Sequence, residues 1–146
     1  MGFGDLVDGT EDNMTKIRFL KFWSVAVGAM DAVTGMLLIL VPEWVLHLLR
    51  IEPPAPEATV YLSWIGVFVM AVGLSYGLAL GGRRSRGETV WMFTALVRIL
   101  VAVFLAAKIS AGVMAPAWAA VALSDGMVAL VQIAIMRKGW WREVPR

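Results

Sequence analysis

Four stretches of this sequence are each long and apolar enough to form a helix that crosses a lipid bilayer. They run over about 19–41, 59–80, 89–110 and 116–136. A spanning helix needs about 20 mostly apolar residues. Hydrophobic residues make up 60% of the chain and charged residues 16%, whereas soluble domains average roughly 45–50% and 25%. Because the connections are short, the sequence predicts an all-α integral membrane protein, an up-down bundle of four transmembrane helices.

The segment between the first two spans has a pattern of its own. Residues 42–51 read PEWVLHLLRI and place Trp44, Val45, Leu48 and Leu49 on one helical face. This pattern predicts a short amphipathic helix that lies on the membrane surface after the first span. The chain's one histidine, His47, lies on the polar side of this helix, where contact with solvent or headgroups is favoured over metal binding.

The chain is divided here into an N-terminal tail, residues 1–15, and a transmembrane domain, residues 16–146. The tail carries Asp5, Asp8, Glu11 and Asp12. One interpretation is a mobile cytoplasmic segment. The other is a docking segment that becomes ordered on a partner. An acidic segment is repelled by anionic lipids, so that partner is expected to be a protein.

Basic residues are unevenly divided between the two sides that four spans create. Ten of the 13 Lys and Arg residues fall in the N-terminal flank, the connection between the second and third spans, and the C-terminal tail. Because cytoplasmic loops of membrane proteins are enriched in Lys and Arg, both termini are expected to be cytoplasmic. These residues are interpreted as topology signals and as contacts to membrane lipids, so no nucleic-acid partner is expected.

The seven tryptophans fall near the ends of the predicted spans. Tryptophan is enriched at the membrane–water interface, where its amphipathic ring sits at headgroup level. All seven are therefore predicted to be interface anchors. They are Trp23, Trp91, Trp140 and Trp141 on the cytoplasmic side, and Trp44, Trp64 and Trp118 on the outer side.

Three charged residues lie near the middle of predicted spans: Asp31 in the first, Arg98 in the third and Asp125 in the fourth. Each is on the order of ten residues, or about 15 Å, from the cytoplasmic end of its span, so they share one level. A charge at that depth costs about 2.5–3.5 kcal/mol, and more if it is isolated in lipid. We therefore expect Arg98 to lie between the two carboxylates. The polar residues placed to extend this network toward the cytoplasm are Gln132, Ser124, Thr94 and Tyr76.

Two interpretations of this predicted network remain open. Asp31, Arg98, Asp125 and Gln132 form either a buried network that fixes which helix faces turn inward, or a ligand-binding site. One guanidinium beside two carboxylates suits a proton relay or a cation site, since two such carboxylates seldom have identical pKa values and one of them could hold a proton.

Small residues recur at helical spacing in the first two spans. Gly28 and Gly35 lie on the same face of the first span as Asp31. Gly66, Gly73 and Gly77 are spaced along the second. Because small residues let membrane helices approach closely, these five glycines are predicted to form helix-packing surfaces.

The inventory of reactive side chains excludes several kinds of chemistry. The chain has no cysteine and one histidine. These counts exclude thiol redox chemistry, iron–sulfur clusters, thiolate metal sites and heme held by two histidines of this chain. The sequence also lacks the spacing of a phosphate-binding loop. From the residues themselves we predict no catalytic residue, no metal site and no cofactor.

Some of these features are shared with a known family. The glycines of the second span (Gly66, Gly73, Gly77), Arg98 in the third span and the sequence Ser124-Asp125-Gly126 in the fourth resemble the DoxX-like group of small four-helix bacterial membrane proteins. The resemblance extends over most of the chain and implies a location in the bacterial inner membrane. Some members are the small subunit of a quinone-linked oxidoreductase, so the resemblance implies a quinone as a candidate cofactor. It supplies no catalytic motif.

Three functional hypotheses follow. The first is a non-catalytic accessory or scaffold subunit of a larger membrane assembly, in contact with lipids and with other membrane subunits or copies of itself. The second is a membrane-embedded site or carrier for a quinone, lipid headgroup, proton or cation at the charged centre. The third, which rests on the resemblance alone, is the small subunit of a quinone-linked oxidoreductase.

Overall fold

The computed structural model describes residues 3–81 and 84–144, and within them it contains α-helices, two 3₁₀ turns and no β-strand. The 3₁₀ turns are Pro116–Trp118 and Trp140–Glu143. The helices are α1 (Phe3–Leu40), α2 (Pro42–Leu48), α3 (Pro56–Leu80), α4 (Arg84–Ser110) and α5 (Ala119–Arg137). Four segments, in α1, α3, α4 and the stretch from Pro116 through α5, are long and apolar enough to cross a membrane. The predicted all-α membrane bundle is confirmed.

The connections explain where the helices begin and end. Pro42 and Pro56 occupy the first turns of α2 and α3, and Pro116 opens the 3₁₀ turn before α5. Proline suits these positions because the first helical N–H groups have no partner within the helix. After α5, Gly139 has a φ of 72° and turns the chain back toward the bundle. That backbone conformation is one that glycine adopts readily.

The four long helices are arranged as two pairs. The closest packing is between α1 and α3, followed by α4 against α5. Helices α3 and α4 connect the two pairs, whereas no Cα atom of α1 lies within 8 Å of α4 or α5 in the described part of the chain. Side chains therefore have to bridge the space between α1 and the α4–α5 pair.

The larger part of the apolar core lies in one half of the bundle. This half adjoins the end of the bundle where α1 enters, α3 ends, α4 begins and α5 ends. We call that end of the bundle the basic end, after the basic residues that lie there: Lys21, Arg84, Arg86, Arg137, Lys138 and Arg142. The main cluster of buried hydrophobic residues lies in this half and comprises Leu20, Val27, Tyr76, Ala79, Trp91, Ile135 and Trp141. The half near the basic end is therefore the more tightly closed part of the molecule.

Helix α1 continues beyond the bundle. It contains 38 residues, which is about 57 Å of helix at 1.5 Å per residue. Among its side chains that the structure describes, Leu20 is the first buried one, and Glu11, Asp12 and Met14 are exposed. The segment interpreted above as a tail is thus helical from Phe3 onward, and it lengthens α1 past the basic end.

The short helix predicted after the first span is α2. Its inward-facing residue is Leu46, which is 2% exposed. The predicted apolar face did not include Leu46. Trp44 and Leu48 are 56% and 68% exposed, and His47 is exposed as well. Helix α2 therefore packs through one leucine and presents an aromatic and an aliphatic side chain outward, as expected of a helix at a membrane surface.

Candidate functional site: a buried charged triad

The structure brings Asp31, Arg98 and Asp125 together in the middle of the bundle. One terminal nitrogen of the Arg98 guanidinium donates to Asp31 Oδ2 at 2.5 Å, and the other donates to Asp125 Oδ1. Arg98 is 3% exposed and Asp31 is 7% exposed. We call these three residues the triad. Each comes from a different helix, so the triad joins the α1–α3 pair to the α4–α5 pair.

Local packing on both sides positions the two carboxylates. On α1, Asp31 lies at a close approach of α3: a Cβ at Gly73 would be 2.9 Å from the Asp31 Cβ. On α5, Gly126 follows Asp125 and faces Ala102 of α4. Glycine at position 73 lets the backbones of α1 and α3 approach, whereas a Cβ at Gly126 would make only an ordinary contact with Ala102.

The electrostatics of the triad are unbalanced. Moving each ion out of water costs several kcal/mol, and mutual attraction in a low-dielectric interior repays this only with good geometry. One guanidinium that uses both terminal nitrogens meets that condition. Two carboxylates and one guanidinium nevertheless carry a formal charge of −1, which an additional proton or cation would neutralise.

Gln132 lies one layer nearer to the basic end than the triad. Its amide nitrogen donates to the Tyr76 hydroxyl at 2.8 Å and to Thr94 Oγ1 at 3.1 Å. All three residues are at most 1% exposed. Ser124, which was expected to extend the network, is exposed and donates to Val121 O of its own helix.

Two of the predicted interface anchors are core residues instead. Trp91 and Trp141 are 0% and 4% exposed, and their rings meet edge to face at 5.4 Å. Trp91 Nε1 donates to Ser24 Oγ at 2.9 Å, which satisfies its polar atom inside the bundle. Trp141 fits against Gly87, where any side chain would collide with the indole. The prediction was wrong for these two because the C-terminal 3₁₀ turn folds back over the end of the bundle.

The other five tryptophans lie nearer to the surface. Trp44 is 56% exposed and Trp64 is 60% exposed. The remaining three are partly buried, and they are Trp23, Trp118 and Trp140. Their placement near helix ends leaves their role as interface anchors a prediction.

The glycines separate into a packed group and an outlier. A Cβ at Gly35 or Gly73 would lie 2.6 Å from a carbonyl oxygen of the opposite helix, and one at Gly28 or Gly66 would meet atoms at 2.8 Å. By contrast, a Cβ at Gly77 would meet nothing within 4 Å. Gly77 is thus no part of the packing surface between α1 and α3, because it lies on the exposed side of α3. The prediction for Gly77 was wrong.

The bridging contacts between the two helix pairs lie on one side of the triad. Among the described residues, every hydrogen bond, ion pair and ring contact that links the α1–α3 pair to α4, α5 or the C-terminal turn lies at the triad or nearer to the basic end. The triad is therefore the outermost polar link between the pairs.

Comparison with known proteins adds no relative to this description. No protein-family model matches the chain, and neither does any curated protein or solved structure. The resemblance to the DoxX-like group therefore stays a prediction. Within residues 3–81 and 84–144 there is no cluster of three or more His, Asp or Glu residues arranged to hold a metal ion.

Proposed function

We propose that this protein is a small accessory or scaffold subunit of a larger membrane assembly, non-catalytic by itself, with both termini in the cytoplasm of a bacterium. The observation that carries the proposal is the extension of α1 beyond the bundle. Because the extension continues a helix already formed in the bundle, it avoids the cost of nucleating a new one. A preformed helix also loses less conformational entropy when it binds a partner.

The chemistry of the extension favours a protein partner with a basic surface. Glu11 and Asp12 are exposed beside the apolar Met14, which is 51% exposed. Asp12 is paired with Lys16 in the same helix at 2.7 Å. Anionic lipids repel the Glu11 carboxylate, whereas a basic protein surface attracts it and steers the encounter. The bundle itself leaves these side chains uncovered.

Charge reversal in the extension is the test of this proposal. Glu11→Lys is expected to lower the amount of partner recovered with the protein by about tenfold, the effect of losing about 1.4 kcal/mol of binding free energy. The measurement is native mass spectrometry of the complex extracted gently from the host membrane. The matched control is Glu57→Lys, an equally exposed acidic residue at the opposite end of the bundle. Recovery of the bare chain from both wild type and control would overturn the proposal.

A second candidate function is a membrane-embedded site or carrier at the triad for a proton, a cation or another small polar ligand. The unbalanced charge of the triad favours it, together with the partial exposure of the Asp125 side chain, 17%, against 4% for Arg98. An intramembrane ionisable group is by default a candidate functional group, because its burial is costly.

Asp125→Asn separates this second function from a purely structural triad. The variant leaves a neutral Arg98–Asp31 pair, so the bundle is expected to insert and fold. A purely structural triad keeps both carboxylates ionised near neutral pH and takes up no proton there. With the second function, proton uptake of the purified protein near neutral pH is expected to fall by about one proton per chain in the variant, since the two carboxylates of wild type titrate as a coupled pair. Ser124→Asn, an exposed neighbour on α5, is the control and is expected to titrate as wild type. An unchanged titration of Asp125→Asn would contradict the second function.

A further inference from the structure

Two buried polar atoms, one in the triad and one beside it, have no hydrogen-bond partner among residues 3–81 and 84–144. They are Arg98 Nε, a donor, and Gln132 Oε1, an acceptor. Arg98 is 3% exposed and Gln132 is 0% exposed. The Tyr76 hydroxyl accepts from Gln132 Nε2 at 2.8 Å. An unpaired buried donor or acceptor costs about 1–3 kcal/mol, and one water molecule between the two would satisfy both.

A small cleft opens at the basic end. Its cavity volume is about 20 Å³, and it is lined by Ile17, Leu20, Lys21, Ser24, Ala79, Trp141 and Val144. Its deepest residue on α1 is Ser24, which accepts a hydrogen bond from Trp91. Ser24 and Asp31 are seven positions apart on α1, which corresponds to about 10 Å along the helix axis. Thr94, Tyr76 and Gln132 fill the layer between them.

Buried polarity is confined to this half of the molecule. Within the described chain, the buried polar and charged residues lie at the triad or nearer to the basic end, and they are Ser24, Asp31, Thr94, Arg98 and Gln132. Beyond the triad, the buried side chains are Leu38, Leu46 and Leu105. The buried polar side chains that could support a hydrogen-bonded route to the triad therefore lie on one side of it only.

We propose that a water molecule bound between Arg98 Nε and Gln132 Oε1 joins the triad to the cleft, so that the triad exchanges protons with the basic end of the bundle. This inference rests on the second candidate function, because it requires a carboxylate that takes up a proton. A hydronium ion in the cleft gives its proton to a triad carboxylate and leaves water, so no further reactant is needed. The charged group facing those carboxylates is Arg98 from α4, which donates to both, and the two carboxylates face each other across its guanidinium.

Infrared spectroscopy of the protein in lipid bilayers tests the route. A protonated triad carboxyl gives a carbonyl band that Asp31→Asn or Asp125→Asn removes. On transfer to D₂O, this band is expected to shift within the mixing time in wild type and at least tenfold more slowly in Gln132→Met. Methionine keeps the volume of glutamine but lacks the oxygen that holds the water. The control is Leu130→Met on the lipid-facing side of α5, which is 68% exposed.

A second measurement leaves the polar network untouched. The chain has no cysteine, so Ala79→Cys in the cleft and Ser85→Cys at the exposed start of α4 give matched single-thiol proteins. A small water-soluble thiol reagent is expected to modify Ala79→Cys from the basic side and to slow the exchange of the carboxyl band. Modified Ser85→Cys is expected to exchange as wild type.

The outcomes of the two measurements are distinct. Slowing by both Gln132→Met and modified Ala79→Cys supports the route. A carboxyl band that exchanges at the wild-type rate in both overturns the route and leaves the second candidate function standing. The absence of any band removed by Asp31→Asn or Asp125→Asn overturns both.

Discussion

Replacing Arg98 by methionine is expected to destabilise the bundle by about 3–5 kcal/mol, the cost of leaving a buried charge without its partner. In wild type, the guanidinium neutralises part of the charge on Asp31 and Asp125 and donates to both. Without it, two carboxylates face each other near the middle of the membrane. Fewer folded molecules and an earlier unfolding transition in detergent titration of the purified protein are the expected results.

A triple variant is the matched control for Arg98→Met. Arg98→Met combined with Asp31→Asn and Asp125→Asn removes every charge of the triad at once. Because replacing a whole buried ion network is often neutral, this variant is expected to recover most of the lost stability. If Arg98→Met alone were as stable as wild type, the triad would not hold the two helix pairs together.

Gly73→Ala is the second large effect, with an expected loss of about 3 kcal/mol, at the upper end for overpacking. Its Cβ would lie 2.6 Å from Gly28 O and 2.9 Å from the Asp31 Cβ. Backbone atoms cannot rotate away, so α1 and α3 have to separate. That movement also displaces Asp31 from Arg98, which couples the glycine to the triad.

Gly77→Ala on the same helix is the control. A Cβ there meets nothing within 4 Å, and alanine favours a helix over glycine by about 1 kcal/mol. We expect this variant to be as stable as wild type or slightly more stable. The measurement is thermal unfolding of both variants in the same detergent, and equal destabilisation of the two would refute the packing account.

Helix count and the level of the triad follow from the sequence for simple physical reasons. Twenty apolar residues in a row have few stable alternatives to a spanning helix. A charge inside such a helix is costly unless it finds a partner, so Asp31, Arg98 and Asp125 at one depth are expected to meet. These inferences need only the local sequence and the thickness of a bilayer.

Packing between distant segments could not be predicted in the same way. Trp91 and Trp141 stand near span ends, as interface anchors do, yet they are buried because the C-terminal turn folds onto Gly87. Spacing alone also gave no means to separate Gly73 from Gly77, which lie about one turn apart but face different surroundings. Both errors come from tertiary contacts that periodicity does not contain.

The helical extension of α1 has a signal in the sequence. Residues 11–18 contain no proline or glycine and lead directly into the first span. A helix that is already nucleated extends readily into such a segment. Polarity marks the end of the apolar span, and it does not mark the end of the helix.

The most direct test of the account is a solid-state NMR measurement on the protein in lipid bilayers, with ¹⁵N in the arginine guanidinium groups and ¹³C in the aspartate carboxyl groups. The account predicts that one guanidinium, absent from Arg98→Met, is dipolar-coupled to two carboxyl carbons. One coupling disappears in Asp31→Asn and the other in Asp125→Asn. An Arg98 guanidinium that couples to neither carboxyl carbon would contradict the account.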